Sequence, residues 1–195
     1  MILALGSVSL SAQSLSEAEI ANINKRLGEY FEYTKVNDYT NMMDYIYPKI
    51  YTLATKEQLV EVFNGLETMG LGLNVDEISA TDPEPLIEED DRKFAVIDYK
   101  VKIRLELLTA TVRNDQVIES LKSSFKVGYN ATNMSYDDET HILSFDGQKY
   151  ALAVMDPEYD ANEWYFLEYD ASNPMAAQMM LSDKVLEKFK AKMGQ

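Results

Sequence analysis

The apolar positions of this chain recur with a helical period up to Gly70 and with a strand period beyond it. Between residues 16 and 36, Ile20, Ile23, Leu27, Tyr30, Phe31 and Thr34 fall on one helical face. Ser16 and Glu19 stand at the spacing of a capping box, in which each side chain satisfies a backbone amide of the other's turn. Asp38 is placed to cap a second, shorter helix through Met42, Met43 and Ile46, which Pro48 interrupts. Thr55 and Gln58 repeat the capping-box spacing ahead of a third stripe, Leu59, Val62, Phe63, Leu66 and Met69, and Gly70 is a natural helix stop.

After Gly70, residues 72–80 read as a strand and residues 81–92 as a proline-containing acidic connection. The clearest strand spans 93–108. Ala95, Ile97, Tyr99, Val101, Ile103, Leu105 and Leu107 alternate with Val96, Asp98, Lys100, Lys102, Arg104 and Glu106, the signature of a sheet packed on one face and wet on the other. Residues 115–128 fit a helix capped by Asn114 or Asp115, with Val117, Ile118, Leu121 and Phe125 apolar. Short strands follow at 133–137, 140–145 and 149–155, the last two joined by an Asp146-Gly147 two-residue turn. An acidic loop from 156 to 163 leads to a strand at 164–169, and 182–192 forms a C-terminal helix with Val185, Leu186 and Phe189 on one side. The expected architecture is α+β, with N-terminal helices on a curved antiparallel sheet, an extra helix near 115–128 and a helix at the C-terminus.

Composition narrows the chemistry. The 195 residues include no Cys, one His (His141) and one Trp (Trp164), but 13 Tyr and 10 Met. A closed zinc site needs Cys and His in numbers this chain lacks. A formal net charge of −15 repels nucleic-acid phosphate and anionic lipid, so neither is expected as a partner. No Gly-rich phosphate loop and no Gly-x-Ser-x-Gly elbow occurs. The acidic loop 156–163 lacks the glycine and the bidentate Glu of a calcium loop, and reads as a solvated turn. No metal and no cofactor is therefore expected. Residues 2–13 have the apolar core and small-residue end of an export signal without its basic start, so the mature domain is expected from about Ser14, periplasmic or secreted. The run is too short to span a bilayer.

Four features taken together, the opening helices to Met69, the long strand 93–108, the hairpin 140–155 and the late strand Glu163-Trp164-Tyr165-Phe166-Leu167-Glu168, resemble the nuclear-transport-factor-2-like, or cystatin-like roll, superfamily. A late Trp-x-Phe-Leu strand is common in its secreted bacterial members. The resemblance implies a cone-shaped cavity between helices and sheet. Within such a cavity Tyr30, Tyr33, Tyr99, Tyr150, Trp164 and His141 are the candidate ligand-binding residues, tyrosine offering apolar area and one hydrogen-bonding tip.

With the Asp146-Gly147 turn, His141 would face Leu152 on the apolar side of the hairpin, where it is the weak candidate for a general base. Superfamily members include isomerases and dehydratases as well as binders and dimerisation modules. An isomerase of the ketosteroid type needs a carboxylate in the cavity, and Asp98 has the wrong strand parity to supply it. The leading expectation is a non-enzymatic domain for a small apolar or aromatic ligand, or a protein partner. The alternatives are a lyase or isomerase built on His141 and a tyrosine, and a homodimer through the outer sheet face around Lys100, Lys102 and Arg104.

Overall fold

The structure is a computed structural model, and it describes residues 14–169 and 175–194. The apolar run 2–13 and Asn173-Pro174 lie outside the described residues. Helix α1 (Glu17–Lys35) begins at the Ser16/Glu19 capping box, with both reciprocal bonds formed, and buries Ile23, Leu27, Tyr30 and Phe31. Helix α2 (Tyr39–Met42) is capped by Asp38. Two 3-10 turns, Met43–Tyr45 and Pro48–Thr52, lead to α3 (Lys56–Thr68), which starts at the Thr55/Gln58 capping box.

The sheet is antiparallel, curved and unclosed, with six strands. Its spine is a pair of long strands, β3 (Arg92–Leu107) and β5 (Ile142–Asp156), registered from Lys93↔Met155 to Glu106↔Ile142. On the far side of β3 lie β1 (Leu71–Ala80) and β2 (Glu84–Glu89). On the far side of β5 lie β4 (Thr132–Asp137) and β6 (Asp160–Glu168). Asp76 is a one-residue bulge between Val75 and Glu77 of β1, and both its oxygens accept from Arg104, at 2.7 Å each. Helix α4 (Asp115–Gly128) is capped by Asn114, which accepts from the Val117 amide at 3.0 Å. Helices α5 (Met175–Met180) and α6 (Asp183–Lys192) end the chain.

Three expectations change. The segment read as a connection at 81–92 contains β2, because Asp90 and Asp91 both adopt positive φ, 51° and 62°, and close a tight β2–β3 hairpin as a two-residue loop requires. The Asp146-Gly147 turn does not exist: β5 runs straight through it, with Gly147 opposite Val101. The reversal falls instead at residues 138–141, where the Asp137 carboxylate accepts from the amides of Glu139 (2.8 Å) and Thr140 (3.1 Å) and His141 takes φ 58°. Gly147 is glycine because of crowding. A Cβ there would stand 3.0 Å from Val101 and 3.2 Å from Tyr129, whose carbonyl receives the Gln148 amide in the gap between β4 and β6. The third change concerns α3. Val62 and Met69 point to solvent, 67% and 59% exposed, so the face that meets the core is Leu59, Val60 and Phe63.

The strand parity produces two packed faces. Odd positions of β3 and β5, with Trp164 and Phe166 of β6, meet α1 and α2 in the main core. Leu105, Leu107 and Leu143 on the same face meet Ile118 of α4. The even positions Phe94, Val96, Leu152 and Val154 are buried under α5 and α6 against Met180, Val185, Leu186 and Phe189. The wet outer face is thus confined to the other half of the sheet, where Lys100 and Lys102 are exposed and Arg104 half-buried.

Candidate functional site

Because β5 is continuous, Lys149 sits opposite Tyr99 on the α1 face, and Glu168 of β6 lies opposite Ala151 on the same face. The Lys149 ammonium donates to Glu168 Oε2 at 2.5 Å, and Tyr30 of α1 donates its hydroxyl to Glu168 Oε1 at 2.9 Å. The Tyr99 side chain lies close enough to this carboxylate to help hold its charge. The Tyr129 ring lies 4.5 Å from the Lys149 ammonium, a cation–π contact. A lysine 9% exposed, a glutamate and two buried tyrosines thus form one network beneath α1.

Burial opposes the charge of Glu168, but the ammonium and hydrogen bonds of Lys149 and the hydroxyls of Tyr99 and Tyr30 outweigh it. Its pKa is held below the ordinary glutamate value. Burial, and then the neighbouring Glu168 charge, push both tyrosines well above theirs.

This network borders a cavity of about 90 Å³. Its walls are apolar, from Phe31, Met42, Leu73, Val75, Ile78, Val101 and Ile103, and Tyr39 and Phe63 stack at 4.9 Å on the side of α3. Glu168 is the charged residue of the lining. It lies deep in the fold, yet 32% of its side-chain surface stays accessible because the carboxylate looks into this space.

Of the residues expected to form a site, Tyr30 and Tyr99 line the cavity and are joined by Glu168. Tyr33 packs on Tyr45 with the rings tilted and their centres 5.7 Å apart, outside the lining. Trp164 is buried core beside α1, its carbonyl accepting from Arg26 Nε at 2.6 Å. Tyr150 corrects the expectation outright, since it packs on the α6 face. His141 is corrected too: it occupies the β4–β5 turn, with Nδ1 3.2 Å from the Tyr136 hydroxyl. Eight residues of strand, at about 3.3 Å each, separate it from Lys149. Lys149, Glu168 and Tyr129 were not foreseen. The signal for the first was present in the odd-position parity of 143–153, but the supposed turn inverted it. Among the described residues no three His, Asp or Glu gather as a metal site, and no helix is long and apolar enough to cross a membrane.

The outer sheet face offers a second concavity, polar and shallow, between Glu77, Lys102 and Gln148. Within it Lys102 pairs with Glu77, and Asp146 accepts from Asn133. Comparison of the chain with family models, with characterised proteins and with solved structures finds no match.

Proposed function

We propose that this is a non-enzymatic binding domain of nuclear-transport-factor-2-like type, which takes a small, mainly apolar molecule into the cavity on the α1 face. The observation that carries the reading is a single ionised carboxylate, Glu168, facing an otherwise apolar cavity and supported from behind by Lys149, Tyr30 and Tyr99. A buried ion pair adds little net stability over well-packed apolar residues of the same size, so its presence there is better explained by recognition than by folding. The apolar run 2–13 supports action in the periplasm or outside the cell.

Catalysis fits the same geometry poorly. A general base works best with a pKa near the operating pH, and Glu168 is shifted the other way and already engaged by donors. His141 lies too far along the sheet to reach a molecule in the cavity. A cavity of about 90 Å³ holds roughly three waters, against about 150 Å³ for one that takes benzene. The bound molecule is therefore small, or α3 shifts to admit it.

Native mass spectrometry of the chain from Ser14, purified from its host's export compartment, tests the reading. The expected result is an added mass that disappears on denaturation and is absent from Val75→Phe, which fills the cavity. A bare mass for the unmodified chain, or an adduct retained by Val75→Phe, would overturn it.

A further inference from the structure

The hydrogen-bonding sense of the cavity can be counted. The Tyr30 proton goes to Glu168 at 2.9 Å, and the Tyr99 side chain lies beside the same carboxylate. The Thr34 proton goes to the Tyr30 carbonyl at 2.8 Å, and the Tyr39 proton to Asn37 Oδ1 at 2.8 Å. The Tyr30, Thr34 and Tyr39 hydroxyls on the lining have given their protons to the protein and keep only lone pairs for a guest. A carboxylate has about four acceptor positions, and Lys149 and Tyr30 occupy two of those on Glu168. What Tyr30, Thr34, Tyr39 and Glu168 offer the cavity is acceptor capacity, centred on one carboxylate.

Charge narrows the guest further. The Lys149 ammonium already balances Glu168 at 2.5 Å, so a cationic guest would bring a second positive charge against the first. An anionic guest would meet the Glu168 carboxylate in a low-dielectric wall. Resting on the binding reading above, we infer that the cavity selects a small neutral hydrogen-bond donor on an apolar body, such as a short alcohol, and rejects carbonyl compounds, carboxylates and ammonium ions of the same shape. A carbonyl oxygen placed against Glu168 leaves two acceptors unpaired, and buried groups left unpaired are what give polar sites their large discrimination.

The experiment is a set of NMR titrations of the full chain with 2-propanol, acetone, isopropylammonium and isobutyrate, sized to the cavity. The alcohol is expected to bind at least about tenfold more tightly than any of the other three. Tyr150→Phe, on the α6 face, is expected to keep that order. The Lys149→Met/Glu168→Gln double variant puts a carboxamide, with donors of its own, where the carboxylate was, and is expected to bring alcohol and ketone within about threefold of each other. Ketone binding equal to or tighter than alcohol, abolished by Val75→Phe, would overturn the donor rule and leave the binding reading standing. An alcohol preference that survives in the double variant would also overturn it, by placing the recognition elsewhere. Binding of none of the four overturns it as well, and the captured-mass experiment then judges the broader reading on its own.

Discussion

At the scale of single residues, the sharpest consequence of the structure is the dependence of Lys149 and Glu168 on each other. Removing one partner of a buried pair strands the other's charge, whereas removing both leaves little to regret. Lys149→Met is expected to destabilise the protein by about 3 kcal/mol, near the low end for such sites because Glu168 keeps contact with the cavity. Lys149→Met/Glu168→Gln is expected to recover most of that loss. Urea unfolding of the wild type, both single variants and the double variant measures the coupling, and additive losses would show that the pair does not act as a unit. This pair was hidden in the sequence by one dipeptide. Asp146-Gly147 is the strongest short hairpin signal in the chain, but Gly147 is there to let Tyr129 and Val101 approach within 3.2 Å of where a Cβ would stand. Strand side chains alternate with period two, so inserting a turn that is absent exchanges the faces of everything after it. That is why Tyr150 was expected in the cavity and Lys149 was not.

The elements themselves were legible wherever a local signal had no competitor. The capping residues expected at Ser16, Asp38, Thr55 and Asn114 all perform that role. The hairpin at Asp90-Asp91 was missed because two acidic residues read as a solvated run, although Asp tolerates the left-handed conformation such a turn demands. Helix α3 shows what a stripe alone fails to convey. It is amphipathic, yet no residue of it is fully buried, and it closes one side of the cavity mainly through Phe63 stacked on Tyr39. An element with few buried apolar contacts opens at low free energy. Amide hydrogen exchange is therefore expected to be faster by about tenfold or more in α3 than in α1 or α6, each of which buries several side chains. A cavity ligand is expected to slow exchange in α3 first, and protection in α3 equal to that of α1 would refute its part in admission.

At the scale of the whole molecule, composition is a poor guide to what the fold assembles. A single histidine and no cysteine turned attention away from polar chemistry, while the fold built a polar centre from residue types that abound in every sequence. That centre also shapes the response to pH. Glu168 titrates below its ordinary value in the folded state. Glu19 does so too, brought down to about 2 against its burial by Lys93 and by the backbone and hydroxyl of Ser16. A carboxylate with a depressed folded pKa contributes stability above its unfolded pKa of about 4.5 and loses it as pH falls toward the folded value. For Tyr30 and Tyr99, raised in the fold, the sign reverses, and their contribution is lost as pH climbs past 10. The urea midpoint is thus expected to be flat between about pH 6 and 9 and to fall on both sides. The acid limb is expected to be shallower in Lys149→Met/Glu168→Gln, and an identical limb in both proteins would remove Glu168 from the account.

The bulge at Asp76 has a consequence for how copies of this protein treat one another. Strand β1 ends the sheet, so the outer backbone edge of a ten-residue strand has no neighbour within the described sheet. A flat edge of that length is a template on which another chain can add itself, and repeated addition ends in fibres. The extra residue bends the strand near its middle, breaking the straight run of backbone groups a second strand would have to match. It also sets the carboxylates of Asp76 and Glu77 side by side at the break. The same small irregularity that lets Arg104 grip Asp76 thereby guards the sheet against extension.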